Sequence, residues 1–413
     1  MIDALEDAAT KAAATKTDNN TDNTDITDNT DNTKADAEAA TADAAPRTPA
    51  PKPALGRMAA LDGLRLLAAV AVMLYHFTAR ENPAWGDGTV PPDIFPELSR
   101  YTMFGQFGVD LFFVISGFVI LMSAWGRPVN AFVTSRVTRL FPAYWAGVLL
   151  TGFLLVVLWP ERKEVQLSDI GTNLTMLQEA FGVSSVDGVY WTLWFELRFY
   201  VMIGVLLLVG LTGARALAFA ALWPAAAVMA DTAGSGLLAN MLLAEYAPLF
   251  ACGMAMYMVA RDRRSMLAWL VLGQNVLLSA TWCAGNTRER LIGWTTLEPS
   301  VLQCVLMTLG CIGLVALVTL TPLRRLNSRV LTTAGLLTYP LYLIHQYWGW
   351  WIITGLHDEL PPYAVVAIAA GVAIGLATLI HVLVERPLAP ILKRGLRSSF
   401  TRLAEQERQV SNR

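Results

Sequence analysis

The chain has 413 residues, of which 54% are hydrophobic and only 15% are charged, and its mean hydropathy is +0.45. These values lie outside the range of ordinary soluble domains and indicate a polytopic membrane protein. The formal net charge is -2, and the charges lie mostly in loops and tails without forming a basic face with interleaved aromatic residues. A nucleic-acid partner is therefore not expected.

Residues 1–57 consist largely of Ala, Thr, Asp, Asn and Pro, and include the near-tandem run TDNNTDNTDITDNTDNT. Such a composition cannot bury enough apolar surface to offset the loss of chain entropy, so it predicts a disordered low-complexity tail. The segment contains no apolar stretch of the kind found in cleaved signal peptides, and we do not interpret it as one.

From residue 59 onward, apolar windows follow one another with few interruptions, and most approach the roughly 20 residues that cross a bilayer core. They predict an all-α, polytopic membrane bundle of about ten transmembrane helices. The predicted helices cover residues 59–78, 104–123, 141–159, 190–211, 214–230, 246–260, 266–284, 301–320, 334–353 and 363–384. Because the segment 246–260 is short for a span, counts of nine or eleven remain open.

The distribution of charge predicts the orientation of this bundle. If the N-terminus is cytoplasmic, the inner loops hold ten Lys and Arg residues and the outer loops hold six. The positive-inside rule then favours a plasma-membrane protein with both termini in the cytoplasm. The predicted organisation is thus a tail over residues 1–57, a transmembrane domain over residues 58–390 and a cytoplasmic C-terminal tail over residues 391–413.

The first predicted helix, LDGLRLLAAVAVMLYHF, carries Arg65 and His76 within an apolar run. They are eleven residues apart, so they point the same way around the helix axis and lie roughly 16 Å apart along it. Ionisable residues inside a membrane usually face the protein interior or a wet cavity and mark function. The alternative is that both side chains snorkel to the membrane surfaces, and the spacing alone does not decide between the two.

Several other segments carry polar residues in a recurring pattern. They read FGQFGVDLFFVISGFVILMS with Asp110 and Ser116, FVTSRVTRLFPAYW, VYWTLWFELRFY with Glu196, and LLTYPLYLIHQYWGWW with His345. Together with the LDGLR opening and Arg-x10-His, these motifs resemble the acyltransferase-3 family of integral-membrane O-acyltransferases over about residues 59–394. The resemblance implies transfer of an acyl group from acyl-CoA, a co-substrate rather than a tightly bound cofactor, to a hydroxyl of a carbohydrate or glycosylated acceptor, such as a cell-surface polysaccharide or glycolipid.

The family pattern makes His76 the catalytic histidine and Arg65 its partner. Imidazole is well matched to removing an alcohol proton near neutral pH, so we expect His76 to act as a general base. A covalent acyl-histidine is the chemical alternative. Arg65 is the candidate to stabilise the oxyanion, although its distance from His76 also suits donor binding. Glu196 is expected to orient the imidazole, with an ion pair to Arg65 or Arg198 as the structural alternative.

Arg136 and Arg139 lie three residues apart in a predicted cytoplasmic loop that has no acidic residue. Guanidinium groups match phosphate geometry, so the two arginines are the candidates for binding the phosphates of coenzyme A. Arginines at membrane ends also serve as topology anchors, which is the alternative interpretation.

Asp110, Tyr200 and His345 are weaker candidates for lining the substrate tunnel. An aspartate in a bilayer needs a partner, and Arg65 is the expected one for Asp110. Tyr200 lies four residues after Glu196 and shares its helix face, while His345 can equally be a hydrogen-bonded structural residue. The four cysteines show no metal-ligand spacing, so no metal site is predicted.

Two other functions remain open. Related acyltransferases modify macrolide-type antibiotics, so a macrolide is the alternative acceptor. A polytopic transporter or flippase would also combine about ten helices with buried charges. The two halves of the chain show no repeat, because nothing in residues 246–384 echoes the Arg-x10-His arrangement, and this favours the enzyme.

Overall fold

The computed structural model describes residues 58–411, so the tail predicted for residues 1–57 lies outside the described residues. The described chain is helical and contains no β-strand, which confirms the all-α fold. Its long helices are α1 (Ala59–Thr78), α2 (Phe107–Ala124), α3 (Val129–Phe153), α4 (Trp191–Val209), α5 (Gly213–Thr232), α6 (Ala247–Arg261), α7 (Met266–Trp294), α8 (Val301–Leu320), α9 (Arg329–Leu356), α10 (Pro362–Ile380) and α11 (Arg386–Ser411).

Eight of the described helices are long and apolar enough to cross a bilayer, namely α1 to α5, α7, α8 and α10. The protein is therefore a multi-pass membrane protein. Helix α6 is shorter, at 15 residues, and α9 is not among the eight. The count of about ten crossing helices and the side that faces the cytoplasm stay predictions.

Helix α6 lies at the centre of the bundle, packed against α2, α5, α7 and α8. Thirteen of its 15 residues are buried. Gly117 of α2 and Gly253 of α6 approach so closely that a methyl group on either would collide with the backbone of the other helix. Small residues allow such contact between membrane helices, where van der Waals packing replaces the hydrophobic drive.

Helix α9 packs along α1 and also contacts α3 and α10. Gly335 of α9 leaves room for Asp62 of α1, and Gly349 leaves room for the ring of Phe77. The contact therefore extends along α1 from its first turns to its last. This contact shapes the surroundings of both Arg65 and His76.

Two predicted helix boundaries were wrong in ways that affect the site. Helix α3 begins at Val129 rather than at 141, so Arg136 and Arg139 lie in a helix and not in a loop. The two arginines lower the local hydropathy, and Pro142 suggests a break, but a helix can run through a proline when its neighbours satisfy the freed backbone groups. Helix α7 continues to Trp294 through a π turn at Ser279–Cys283.

The predicted C-terminal tail over residues 391–413 is helical as far as the structure describes it. Helix α11 follows α10 through a π turn at His381–Glu385 and packs against α3. The Nδ1 atom of His381 lies 2.8 Å from the Glu385 carboxylate within that turn. We therefore assign His381 a structural role.

Candidate active site

Helix α1 carries Arg65 and His76 into two different clusters. We call them the Arg65 cluster and the His76 cluster. The Arg65 cluster comprises Arg65, Arg136, Arg139, Glu196 and Tyr200, and the His76 cluster comprises His76, Arg80, His345 and Trp350. The side chains of Arg65 and His76 both face other parts of the protein, so α1 does not present them to lipid.

The Arg65 cluster surrounds a cavity of about 90 Å³, which is room for several water molecules. Three guanidinium groups and one carboxylate line it, contributed by Arg65 of α1, Arg136 and Arg139 of α3, and Glu196 of α4. With the carboxylate of Asp62, which pairs with Arg65 at 3.6 Å, these side chains carry three positive and two negative charges, a net charge of about +1. The cavity is therefore suited to an anionic group.

Glu196 makes its hydrogen bonds within the Arg65 cluster. It accepts from the Ser116 hydroxyl at 3.1 Å and from the Tyr200 hydroxyl at 2.6 Å. In the described structure no hydrogen bond joins Glu196 to His76, so the expected contact with the imidazole is not found. Arg198 instead donates to Asn240, so the alternative ion pair with Glu196 is not found either.

His76 is only 3% exposed and lies in the last turn of α1. Its Nδ1 atom is 2.8 Å from the carbonyl oxygen of Val72 and 3.3 Å from Nε2 of His345. Because a carbonyl oxygen can only accept, we assign the proton of His76 to Nδ1, which leaves the lone pair on Nε2. The Nη1 atom of Arg80 lies 3.2 Å from this Nε2 and donates to it.

Two further contacts fix the orientation of this histidine pair. The indole N–H of Trp350 donates to the carbonyl oxygen of His76 at 2.9 Å. The Nδ1 atom of His345 lies 2.9 Å from the carbonyl oxygen of Tyr342, so His345 carries its proton on Nδ1 and offers Nε2 as an acceptor to His76. The bare Nε2 of His76 is therefore the atom available for accepting a proton.

Tyr342 lies between the two clusters. It lines the cavity of the Arg65 cluster, and its ring centroid is 5.8 Å from that of His345. Its hydroxyl is 2.9 Å from the Thr192 hydroxyl, and Phe112 packs edge-on against its ring. Tyr342 therefore borders both the cavity and His345.

A family model for the acyltransferase-3 group, described as an acyltransferase domain, matches residues 58–382. The chain belongs to the acyltransferase-3 family. This match covers more than half of the chain and confirms the resemblance found in the motifs, and it makes the protein an acyltransferase rather than a transporter.

Three curated relatives align with parts of this acyltransferase. "Putative peptidoglycan O-acetyltransferase YrhL" of Bacillus subtilis is 28% identical over 37% of this chain and 24% of its own length. The peptidoglycan O-acetyltransferase OatA of Listeria monocytogenes is 28% identical over 36% of this chain and 24% of its own length. The exopolysaccharide production protein ExoZ of Rhizobium meliloti is 36% identical over 24% of this chain and 33% of its own length. The aligned part thus spans a quarter to a third of these relatives. No solved structure matches the chain.

Asp110 is placed away from both clusters of the acyltransferase. It is buried in α2, with Oδ1 3.5 Å from the Thr287 hydroxyl of α7. The expected ion pair with Arg65 is not found, since Arg65 pairs with Asp62 at 3.6 Å. Among the described residues, no group of three or more His, Cys, Asp or Glu side chains could hold a metal ion.

Sequence reasoning missed two polar residues at the same end of the acyltransferase as His76. Arg80 follows His76 by four residues, a spacing that would have suggested a contact, but it lies just beyond the end of α1. Asp187 lies in the loop before α4, is fully buried, and accepts from the backbone N–H of Val189 at 3.1 Å. Burial raises the pKa of the Asp187 carboxyl to about 7.

Proposed function

We propose that this acyltransferase transfers an acyl group from acyl-CoA to a hydroxyl of a cell-surface polysaccharide or glycolipid, with His76 as the general base. The observation that carries the proposal is the buried imidazole of His76, whose bare Nε2 lies beside the Arg80 guanidinium. The names of the relatives, which refer to peptidoglycan O-acetylation and exopolysaccharide production, support a carbohydrate acceptor.

The Arg65 cluster is the proposed site for the phosphates of coenzyme A. Its three arginines offer charge-assisted hydrogen bonds, and its net positive charge suits the pyrophosphate and the 3′-phosphate. By the positive-inside rule this end of the bundle faces the cytoplasm, where acyl-CoA is present. In this assignment Arg65 binds the donor, and the role of oxyanion donor passes to Arg80.

The chemistry at His76 is a direct acyl transfer. Nε2 takes the proton from the acceptor hydroxyl while the hydroxyl oxygen forms a bond to the thioester carbonyl carbon. The Arg80 N–H that donates a hydrogen bond to Nε2 now donates to the oxyanion that develops on the carbonyl oxygen. The carbon–sulfur bond then breaks, and the proton on Nε2 passes to the departing sulfur. The products are an O-acyl ester and the free thiol of coenzyme A.

His345 supports the charge that His76 gains in this step. Its Nε2 accepts from the Nδ1–H of His76, so it can stabilise the imidazolium as the carboxylate does in a serine-histidine-aspartate triad. His345 also holds the ring in the tautomer that leaves Nε2 bare. It is therefore a positioning residue and takes the part that was expected of Glu196.

The proposal is tested by label transfer with the purified full chain in detergent. Radiolabelled acetyl-CoA and longer acyl-CoAs are offered with polysaccharides, glycolipids and a macrolide. We expect ester formation on a carbohydrate, slowed at least about 100-fold in His76→Ala, and retained in the control His357→Ala, which changes a histidine outside α1.

Three outcomes would contradict parts of this proposal. Equal thioester consumption by the wild type and by His76→Ala would reject His76 as the base. Labelling of the macrolide alone would replace the carbohydrate acceptor. A burst of coenzyme A release without any acceptor, together with label on His76, would replace direct transfer by an acyl-histidine intermediate.

A further inference from the structure

A second, larger cleft opens at the same end of the bundle as His76. We call it the Trp294 cleft, and its volume is about 550 Å³, within the 300–1,000 Å³ that is typical of ligand pockets. It is bounded by the start of α4, the segment between α5 and α6, and the last turns of α7. Its polar and aromatic lining includes Asp231, Asn240, Glu245, Asn286, Glu289 and Trp294.

The cleft contains polar side chains that the protein itself does not use. Glu245 pairs with Arg290, and Asn240 accepts from Arg198. The remaining side chains, Asp231, Asn286 and Glu289, have neither a hydrogen bond nor an ion pair within the described part of the chain.

The composition of the cleft selects a class of ligand. Two unpaired carboxylates disfavour an anion, and therefore disfavour acyl-CoA. Carboxylate and amide groups are good partners for hydroxyl groups, and the rings of Phe195 and Trp294 add apolar surface to the wall. This combination fits a neutral sugar, which has many hydroxyl groups and apolar C–H faces.

The cleft is connected to the catalytic base through one indole ring. The guanidinium carbon of Arg80 lies 4.3 Å from the ring centroid of Trp294, and Nη1 of Arg80 lies 3.2 Å from Nε2 of His76. The backbone N–H of Glu81 donates to the carbonyl oxygen of Trp294 at 2.9 Å, which ties the segment carrying Arg80 to the end of α7. A ligand in the cleft at Trp294 is therefore adjacent to Arg80.

We propose that the Trp294 cleft binds the acceptor as an oligosaccharide, with its reacting unit at Trp294 and its further units hydrogen-bonded by Asn286, Glu289 and Asp231. This inference rests on the proposed function and adds that the acceptor is a neutral chain of several sugars. A chain of several sugars can contact Trp294 and the unpaired polar groups of the cleft together.

The experiment measures sugar binding without any acyl transfer. Calorimetry on the full-length His76→Ala protein in detergent uses β-1,4-linked N-acetylglucosamine oligomers from the monomer to the hexamer, and the same series deacetylated and cationic. We expect affinity for the neutral series to rise with length. Asn286→Ala and Glu289→Ala should each weaken hexamer binding by about tenfold, the usual loss for one hydrogen bond. The matched control Glu298→Ala, which changes an exposed glutamate outside the cleft, should bind the hexamer as the parent protein does.

Several results would overturn the cleft as the acceptor site. These are no binding of either series, equal affinity for monomer and hexamer, unchanged binding in both cleft variants, or binding of the cationic series alone. Because the parent protein lacks His76, failure of acyl transfer cannot produce any of these results. Conversely, if Glu289→Ala in the wild-type background keeps its KM for an acceptor polysaccharide, the cleft proposal fails while the proposed function stands.

Discussion

The two ends of α1 present one helix face to two chemically different surroundings. At one end, Arg65 joins two more arginines and a carboxylate around a small cavity. At the other end, His76 is enclosed by a second histidine and an indole, with a single guanidinium at its bare nitrogen. Beyond that guanidinium, the Trp294 cleft carries unpaired carboxylates.

Under the proposed function, eleven residues of one helix separate the site that binds the donor phosphates from the site where the acyl group is transferred. Under the proposed function, the basic end binds the phosphates of the donor, and the carboxylates of the Trp294 cleft at the opposite end disfavour them. The buried histidine pair lies between, with Tyr342 as the side chain that both regions share. In the proposed arrangement, charge favours the anionic donor at the Arg65 cluster, hydrogen bonds hold the neutral acceptor in the Trp294 cleft, and the two substrates meet at His76.

The largest expected contrast is between Arg80 and Arg65. Arg80→Ala removes the donor beside Nε2, so we expect kcat to fall by about 100- to 1,000-fold, as when an oxyanion donor is lost. Arg65→Ala should instead raise KM for acetyl-CoA by about tenfold with a much smaller effect on kcat. Steady-state kinetics measures both constants. An equal fall in kcat for the two variants would contradict the assignment of donor binding to the Arg65 cluster and of catalysis to the His76 cluster.

The donor end is tested by Arg136→Ala and Arg139→Ala. We expect each to raise KM for acetyl-CoA by about tenfold, because one charge-assisted hydrogen bond is lost, and the effect should shrink at high ionic strength. Arg127→Ala, an exposed arginine at the same end, is the matched control. KM for acetyl-pantetheine, which has no nucleotide phosphate, should not change. A parallel rise for both donors would show that these arginines do not bind phosphate.

The histidine pair is tested by His345→Ala and His345→Gln. Alanine leaves the Nδ1–H of His76 with the Val72 carbonyl as its remaining acceptor, and we expect kcat to fall by about tenfold. The side-chain oxygen of glutamine can accept from the same N–H, so His345→Gln should recover part of the rate. If both variants have the wild-type kcat and pH profile, His345 only fills space.

A smaller effect is expected for Glu196→Gln. It tests whether this carboxylate belongs functionally to the Arg65 cluster or orients His76. The amide oxygen can still accept from Ser116 and Tyr200, while the basic cavity loses its negative charge. We therefore expect KM for acetyl-CoA to fall by about two- to fivefold and kcat to stay within about twofold. Neutralising a carboxylate that orients a catalytic imidazole lowers kcat by several orders of magnitude. A fall in kcat of that size in Glu196→Gln would show that Glu196 orients His76 rather than serving the Arg65 cluster.

The helices were predictable wherever hydropathy changes sharply at both ends. Helices α1 and α8 match the predicted residues 59–78 and 301–320. Helix α3 was predicted to start too late because its first turns carry two arginines, and those turns face a cavity instead of lipid. A local hydropathy window cannot detect such a cavity, since several distant helices create it.

The candidate site was predictable in its residues but not in its contacts. The shared face of Arg65 and His76 follows from helix geometry, and the motifs drew attention to Glu196 and His345. Which carboxylate or imidazole reaches His76 depends on how α9 packs along α1. Arg80 follows the end of a helix, so its side-chain direction could not be derived from helical periodicity.

The smallest expected effect concerns the stability of the His76 end, where the buried Asp187 has a pKa of about 7 instead of its usual 3.8. Between these values the unfolded chain loses the proton while the folded protein keeps it, so the free energy of unfolding falls as pH rises and levels off above about pH 7. Asp187→Asn keeps the acceptor for the Val189 N–H but cannot ionise. Relative to the wild type, its Tm in detergent should therefore rise by a few degrees from pH 5 to pH 8. The exposed Asp87→Asn should show no such trend, and a constant difference between Asp187→Asn and the wild type across this pH range would show that Asp187 is ionised throughout.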